Sequence, residues 1–90
     1  MVNDKVDQDQ LGFVSVVQRF PEKRESLEKL FERDKSFRSL CEEYLACQKA
    51  YRFWQGSSLP EAPDLRNDFS SLQRELEEDI LEHLGKETPA

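Results

Sequence analysis

The stretch FRSLCEEYLACQKAYRFW, Phe37 to Trp54, decides the fold. Its aromatic residues return every seven positions, at Phe37, Tyr44 and Tyr51, with Trp54 close behind. A seven-residue return is about two turns of α-helix, so these rings share one helical face. Good helix formers fill the positions between them, and neither Gly nor Pro intervenes. Leu30 extends this column upstream. A companion column of Leu27, Asp34, Cys41 and Gln48 is half polar, so the pattern is not a regular leucine zipper. Leu40, Leu45, Phe31 and Trp54 widen the stripe, as in a helix packed into a small bundle. The reading is one helix over 21–55. Pro21 sits in its first turn, Glu22 and Glu25 face the positive end of its dipole, and pairs such as Glu25–Lys29 and Asp34–Arg38 support the exposed side.

On the C-terminal side, GSSLPEAP (56–63) must be a turn, because two prolines and two serines resist helical continuation. Gly56 suits the position just after a helix. A last helix is expected over 63–84, with Pro63 and Asp64 opening it. Leu65, Phe69, Leu72, Leu76, Ile80 and His83 fall on one narrow face, and Gly85 and Pro89 end it. On the N-terminal side, Phe13, Val16, Val17 and Phe20 recur at i, i+3, i+4 and i+7, which favours a short helix over 10–20 with Asp9 as its N-cap. The valines and Gly12 leave a strand open there. Residues 1–9 and 85–90 read as disordered ends of a single helical domain over 10–84.

The expected fold is all-α: an antiparallel, coiled-coil-like two-helix hairpin with a short N-terminal third helix on the long one. At 1.5 Å per residue the long helix would reach about 50 Å and the last about 33 Å, leaving about 18 Å of overhang. Leu27, Leu30 and Phe31 lie on that overhang and need cover. The 10–20 segment is the nearest source, and a partner or a second copy is the alternative.

The chain has ninety residues, 36% charged and 37% hydrophobic, enough for one small domain and too apolar and periodic for a disordered one. The net charge of −6 is unevenly placed: residues 61–90 carry nine acids and three bases, and the rest is balanced. An acidic surface disfavours nucleic acid and permits a basic protein partner. MVNDKVDQDQ has no apolar core of a signal peptide, and no apolar run approaches the ~20 residues of a membrane span. Cys41 and Cys47 lie six apart on a helix, about 120° round its axis, so they read as reduced thiols of a cytoplasmic protein.

The pattern FxxLxxEY…W, here Phe37, Leu40, Glu43, Tyr44 and Trp54, is followed by a turn and by LxxELEEDILEHL, Leu72 to Leu84. Together these resemble the small bacterial helical-hairpin proteins of unknown function, of which the YdcH-like family is one. The likeness covers residues 24 to 84. This chain departs from that family in its longer proline-containing turn and its N-terminal extension. The resemblance implies a fold and a bacterial cytoplasmic setting, and no activity.

Candidate chemistry is sparse. His83 with Asp79 at i−4 offers two metal ligands at most, and the position three before His83 is Ile80, so the Glu-x-x-His of di-iron bundles is missing. A Cys-x5-Cys spacing matches neither a zinc knuckle nor a thioredoxin-type motif. Cys41 reads as a core residue, and Cys47 as one towards the edge. The chain has no phosphate-binding loop, nucleophile elbow or zinc-protease motif. The expectation is a non-catalytic protein-interaction module with no cofactor and no small-molecule substrate, binding another protein or itself. The alternative is a metal- or redox-responsive regulator using His83 and Asp79 or Cys41 and Cys47. Phe53 points away from the Tyr44–Tyr51 column. It and its neighbours Arg52 and Trp54, together with Leu27, Leu30 and Phe31 of the overhang, are the expected partner contacts.

Overall fold

A computed structural model describes residues 8–87; the expectations for 1–7 and 88–90 lie outside the described residues. The chain forms α1 (Gln8–Arg19), a 3-10 turn (Pro21–Lys23), α2 (Arg24–Arg33), α3 (Lys35–Gln55) and α4 (Ala62–Glu87). Among the described residues there is no strand. The 10–20 segment is therefore helical. It begins at Gln8, so Asp9 lies inside the helix rather than at its cap. At the other end, Gly85 does not stop α4, which runs through to Glu87. An isolated glycine costs a helix about 1 kcal/mol, too little to end one alone. Gly56 follows α3 at φ −92°, ψ 4°, outside the left-handed region, so its place there does not depend on lacking a side chain.

The expected continuous helix over 21–55 is broken at Asp34. Asp34 leaves helical geometry at φ −117°, ψ 106°. Its Oδ1 accepts from the backbone N–H of Ser36 (3.0 Å) and Phe37 (3.2 Å) and from the Ser36 hydroxyl (2.7 Å). This is an N-cap: a short acidic side chain offers the backbone a better acceptor than a continued helix does. Arg38 consequently does not pair with Asp34 as expected. It turns back and donates to the carbonyl of Phe31 at 2.6 Å, satisfying a free end of α2.

The bend removes the overhang. α3 and α4 run in opposite directions: Phe37 meets His83 (ring centroids 5.7 Å), the Tyr44 hydroxyl meets Glu77 (2.7 Å), and Cys47 Sγ meets the Phe69 carbonyl (3.2 Å). With α2 turned at Asp34, Leu27 and Leu30 pass into the core instead of projecting beyond α4. α1 lies on α3. Its Val16 is fully buried and Phe20 nearly so, with Phe13 and Val17 packed alongside. Gly12 makes this approach possible, because a Cβ there would collide with the backbone carbonyl of Cys41.

The core joins Val16, Phe20, Leu27, Leu30, Phe37, Cys41 and Tyr44 to Leu76, Ile80 and Leu84 of α4. The molecule is only 20 Å through its thinnest dimension, about two helix diameters. A layer that thin leaves the outer side of the α3–α4 seam open to solvent.

Candidate interaction site

The six residues expected to meet a partner part company. Leu27 and Leu30 are core residues, 0% and 3% exposed, and do not form a surface. Phe31 is half-buried, its ring 4.8 Å from that of Phe13 and beneath the Arg38 guanidinium. Because the chain bends at Asp34, these three residues do not lie on an overhang. Arg52, Phe53 and Trp54 stay together on the last turns of α3. Arg52 is exposed, Trp54 is half-buried, and Phe53 is 64% exposed with its ring edge-on to Trp54 at 5.0 Å. The physical reason is rotation: Phe53 follows Tyr51 by two residues, about 200° round the helix from the column that faces α4.

Beside this cluster the α3–α4 seam has two unlike sides. On one side Glu77 accepts from the Tyr44 hydroxyl (2.7 Å), from Arg19 Nε of α1 (3.0 Å) and from the Gln73 amide (3.5 Å). Three helices thus converge on one carboxylate. Burial opposes ionisation of Glu77, but these three donors more than offset it, and its pKa falls below the ordinary 4.5. Burial, and then the Glu77 carboxylate, push the Tyr44 phenol well above its usual range. The Ser36 hydroxyl and then the Phe37 N–H hold Asp34 below its ordinary 3.8. Folded pKa values that are depressed mean stability present above pH 3.8–4.5 and lost as pH falls through the folded values. Chemical unfolding at pH 7 and pH 3 should therefore show lower stability in acid. Glu77→Gln should lose less between the two, since its share cannot titrate.

The other side of the seam carries two adjoining depressions that share Glu43. One, of about 280 Å³, has an apolar floor of Cys47 from α3 and Phe69, Leu72 and Leu76 from α4; the other, of about 330 Å³, is more polar, with Ser36, Ser39 and His83 around Leu40. Leu72, expected in the core, is 40% exposed here. The buried stripe of α4 instead steps through Leu76, Ile80 and Leu84, with Phe69 partly buried against it. Asp79 and Glu82 stand with Glu43 at the rim, and no Lys or Arg lines either depression.

Comparison with protein-family models, curated proteins and solved structures finds no match to this chain.

The remaining reactive side chains are engaged structurally. His83 Nδ1 lies 3.0 Å from the Asp79 backbone carbonyl, so the Asp79 carboxylate and the imidazole do not form a ligand pair there. Its Nε2 faces Asp34 at 4.0 Å, tying α4 to the α2–α3 bend. No group of three His, Cys, Asp or Glu suited to a metal occurs among the described residues. Cys41 and Cys47 are both buried and not joined by a disulfide. Cys47 lies towards the edge of the seam, as expected, but is buried there: its thiol donates to the Phe69 carbonyl, and burial raises its pKa. A neutral, covered thiol is a poor nucleophile. Ellman's reagent should modify neither cysteine at neutral pH until the chain unfolds. Rapid stoichiometric reaction of the native protein would contradict this arrangement.

Two features escaped the sequence reading. Tyr44 was legible as a seam residue, but its polar end needed a partner, and Glu77, next to Leu76 of the stripe, was the carboxylate in register. The groove had no separate signal, because Leu72 continues the α4 pattern whether or not anything covers it.

Proposed function

We propose that this chain is a small non-catalytic interaction module: a helical hairpin of α3 and α4, steadied by α1, that binds another protein in the cytoplasm. The observation that carries this reading is Phe53, a large aromatic ring 64% exposed on the last turn of α3, backed edge-on by Trp54 and beside exposed Arg52. Aromatic and Arg side chains dominate interface energetics. Leu59 of the adjoining turn, 50% exposed, adds to the same apolar end. Tyr44, Glu77 and Arg19 at the α3–α4 seam hold helices together, which supports binding over catalysis. The resemblance to YdcH-like hairpin proteins supports a bacterial setting.

The test is site-specific photo-crosslinking in native host cells, with p-benzoylphenylalanine at position 53, at position 72, and at exposed Glu28 as a control. Discrete adducts from 53 or 72 and none from 28 are expected. Absence of adducts from both 53 and 72 would remove the proposal. Phe53→Ala should meanwhile leave stability within about 0.5 kcal/mol, as for an exposed residue.

A further inference from the structure

We infer that the apolar groove of the α3–α4 seam is a docking site for one amphipathic helix of a partner protein whose flanks are basic. This rests on the reading of the chain as an interaction module and specifies what it binds. The groove follows the seam from Phe69 to His83, about 21 Å at 1.5 Å per residue, or roughly four helical turns. Its floor is apolar from Phe69 to Leu76, with Leu72 and Cys47, and continues past Leu40 between Ser36, Ser39 and His83, which suits a helix whose apolar stripe at i, i+3, i+4 and i+7 sits over the first two turns. Its rim is acidic from both sides: Glu43 on α3, Asp79 and Glu82 on α4. A helix seated there needs Lys or Arg beside its apolar stripe.

The molecule already contains one instance of such docking. On the opposite side of the seam, α1 lays Val16 and Phe20 into the core and places Arg19 Nε 3.0 Å from Glu77 of α4. The same α4 thus receives an apolar stripe and a cation from one side, and offers apolar floor and carboxylates on the other. Two other occupants fit less well. A second copy docked groove to groove would oppose two acidic rims, and like charges across an interface cost affinity. An anionic membrane surface would meet the same carboxylates.

The experiment uses the full chain and three labelled synthetic helices of fifteen residues, read by fluorescence anisotropy. One helix has leucines at i, i+3, i+7 and i+10 flanked by lysines. Its twin has glutamates for the lysines, and the third has the same composition with the leucines dispersed. Binding of the lysine helix should be about tenfold or more tighter than that of either control, and should weaken at high salt. Leu72→Glu and, separately, Glu82→Lys should each weaken it by about tenfold, a readable difference of about 1.4 kcal/mol. Glu82 is exposed, so its reversal carries the test if Leu72→Glu does not fold. Phe53→Ala should change it less than about twofold, within the range of a residue outside the contact. Equal binding of the lysine and glutamate helices, or indifference to Leu72→Glu and Glu82→Lys, would overturn the inference. Loss with Phe53→Ala alone would overturn it while leaving the interaction module standing. Self-association abolished by Leu72→Glu would assign the groove to a second copy and overturn it as well.

Discussion

Gly12→Ala is expected to lower the unfolding free energy by about 3 kcal/mol, at the severe end of overpacking substitutions. The sign is informative. Alanine is the better helix former by about 1 kcal/mol, so a Gly→Ala change inside a free helix would stabilise. Here the added methyl meets the backbone carbonyl of Cys41, on a helix that cannot rotate one peptide group aside. α1 must move off α3, and Val16, now fully buried, loses contact with the core. Gly85 is the internal control. It too lies inside a helix, but nothing stands within 4 Å of a Cβ there. Gly85→Ala should therefore stabilise, by up to about 1 kcal/mol. Urea unfolding of the two variants reads both signs together. Stabilisation by Gly12→Ala would mean that α1 does not lie on α3 as described.

Tyr44→Ala is expected to cost about 3–5 kcal/mol, the range for emptying a large aromatic site in a core. Tyr44 is fully buried, and its ring sits in the core cluster at the centre of the α3–α4 seam. The loss has two separable parts. Tyr44→Phe keeps the ring and removes only the hydroxyl, which should cost about 1.5 kcal/mol for a hydrogen bond to a charged acceptor. Glu77→Leu should cost about as much or more, since it takes the carboxylate acceptor from the hydroxyl of Tyr44 and releases Arg19 at once. A double-mutant cycle of Tyr44→Phe with Glu77→Leu should show strong non-additivity, because each change removes the same bond. Additive losses would mean that the hydroxyl and carboxylate do not meet.

How much of this was legible follows from which interactions are periodic. The stripe Phe37, Leu40, Cys41, Tyr44 appears in the sequence because helical geometry repeats, and the structure buries all four. Phe13, Val16, Val17 and Phe20 likewise face the core, Val16 and Phe20 buried and Phe13 and Val17 partly so, and periodicity outweighed the β-branched valines. The break at Asp34 was hidden because helix interiors accept an aspartate at small cost. Only the capping geometry to Ser36 and Phe37 shows that it starts a helix instead. That one residue reverses the expectation for Leu27, Leu30 and Phe31: straight, they would be an exposed patch, and bent, they are core and core margin. Phe53 was legible by its angle alone. The groove was not, because a pattern of apolar positions says which face is sticky and never says how much of it another helix covers.

The chain closes its own core and leaves apolar surface exposed at several places, Phe53 and Leu72 among them; the proposal is that Phe53 and the Leu72 groove serve a different protein. Its most direct test is the solution mass by light scattering across a wide concentration range. The account predicts a monomer of 10.6 kDa throughout. A concentration-independent dimer, dissociated by Leu30→Ala rather than by any surface change, would contradict it. It would place Leu27 and Leu30 between two copies instead of inside one.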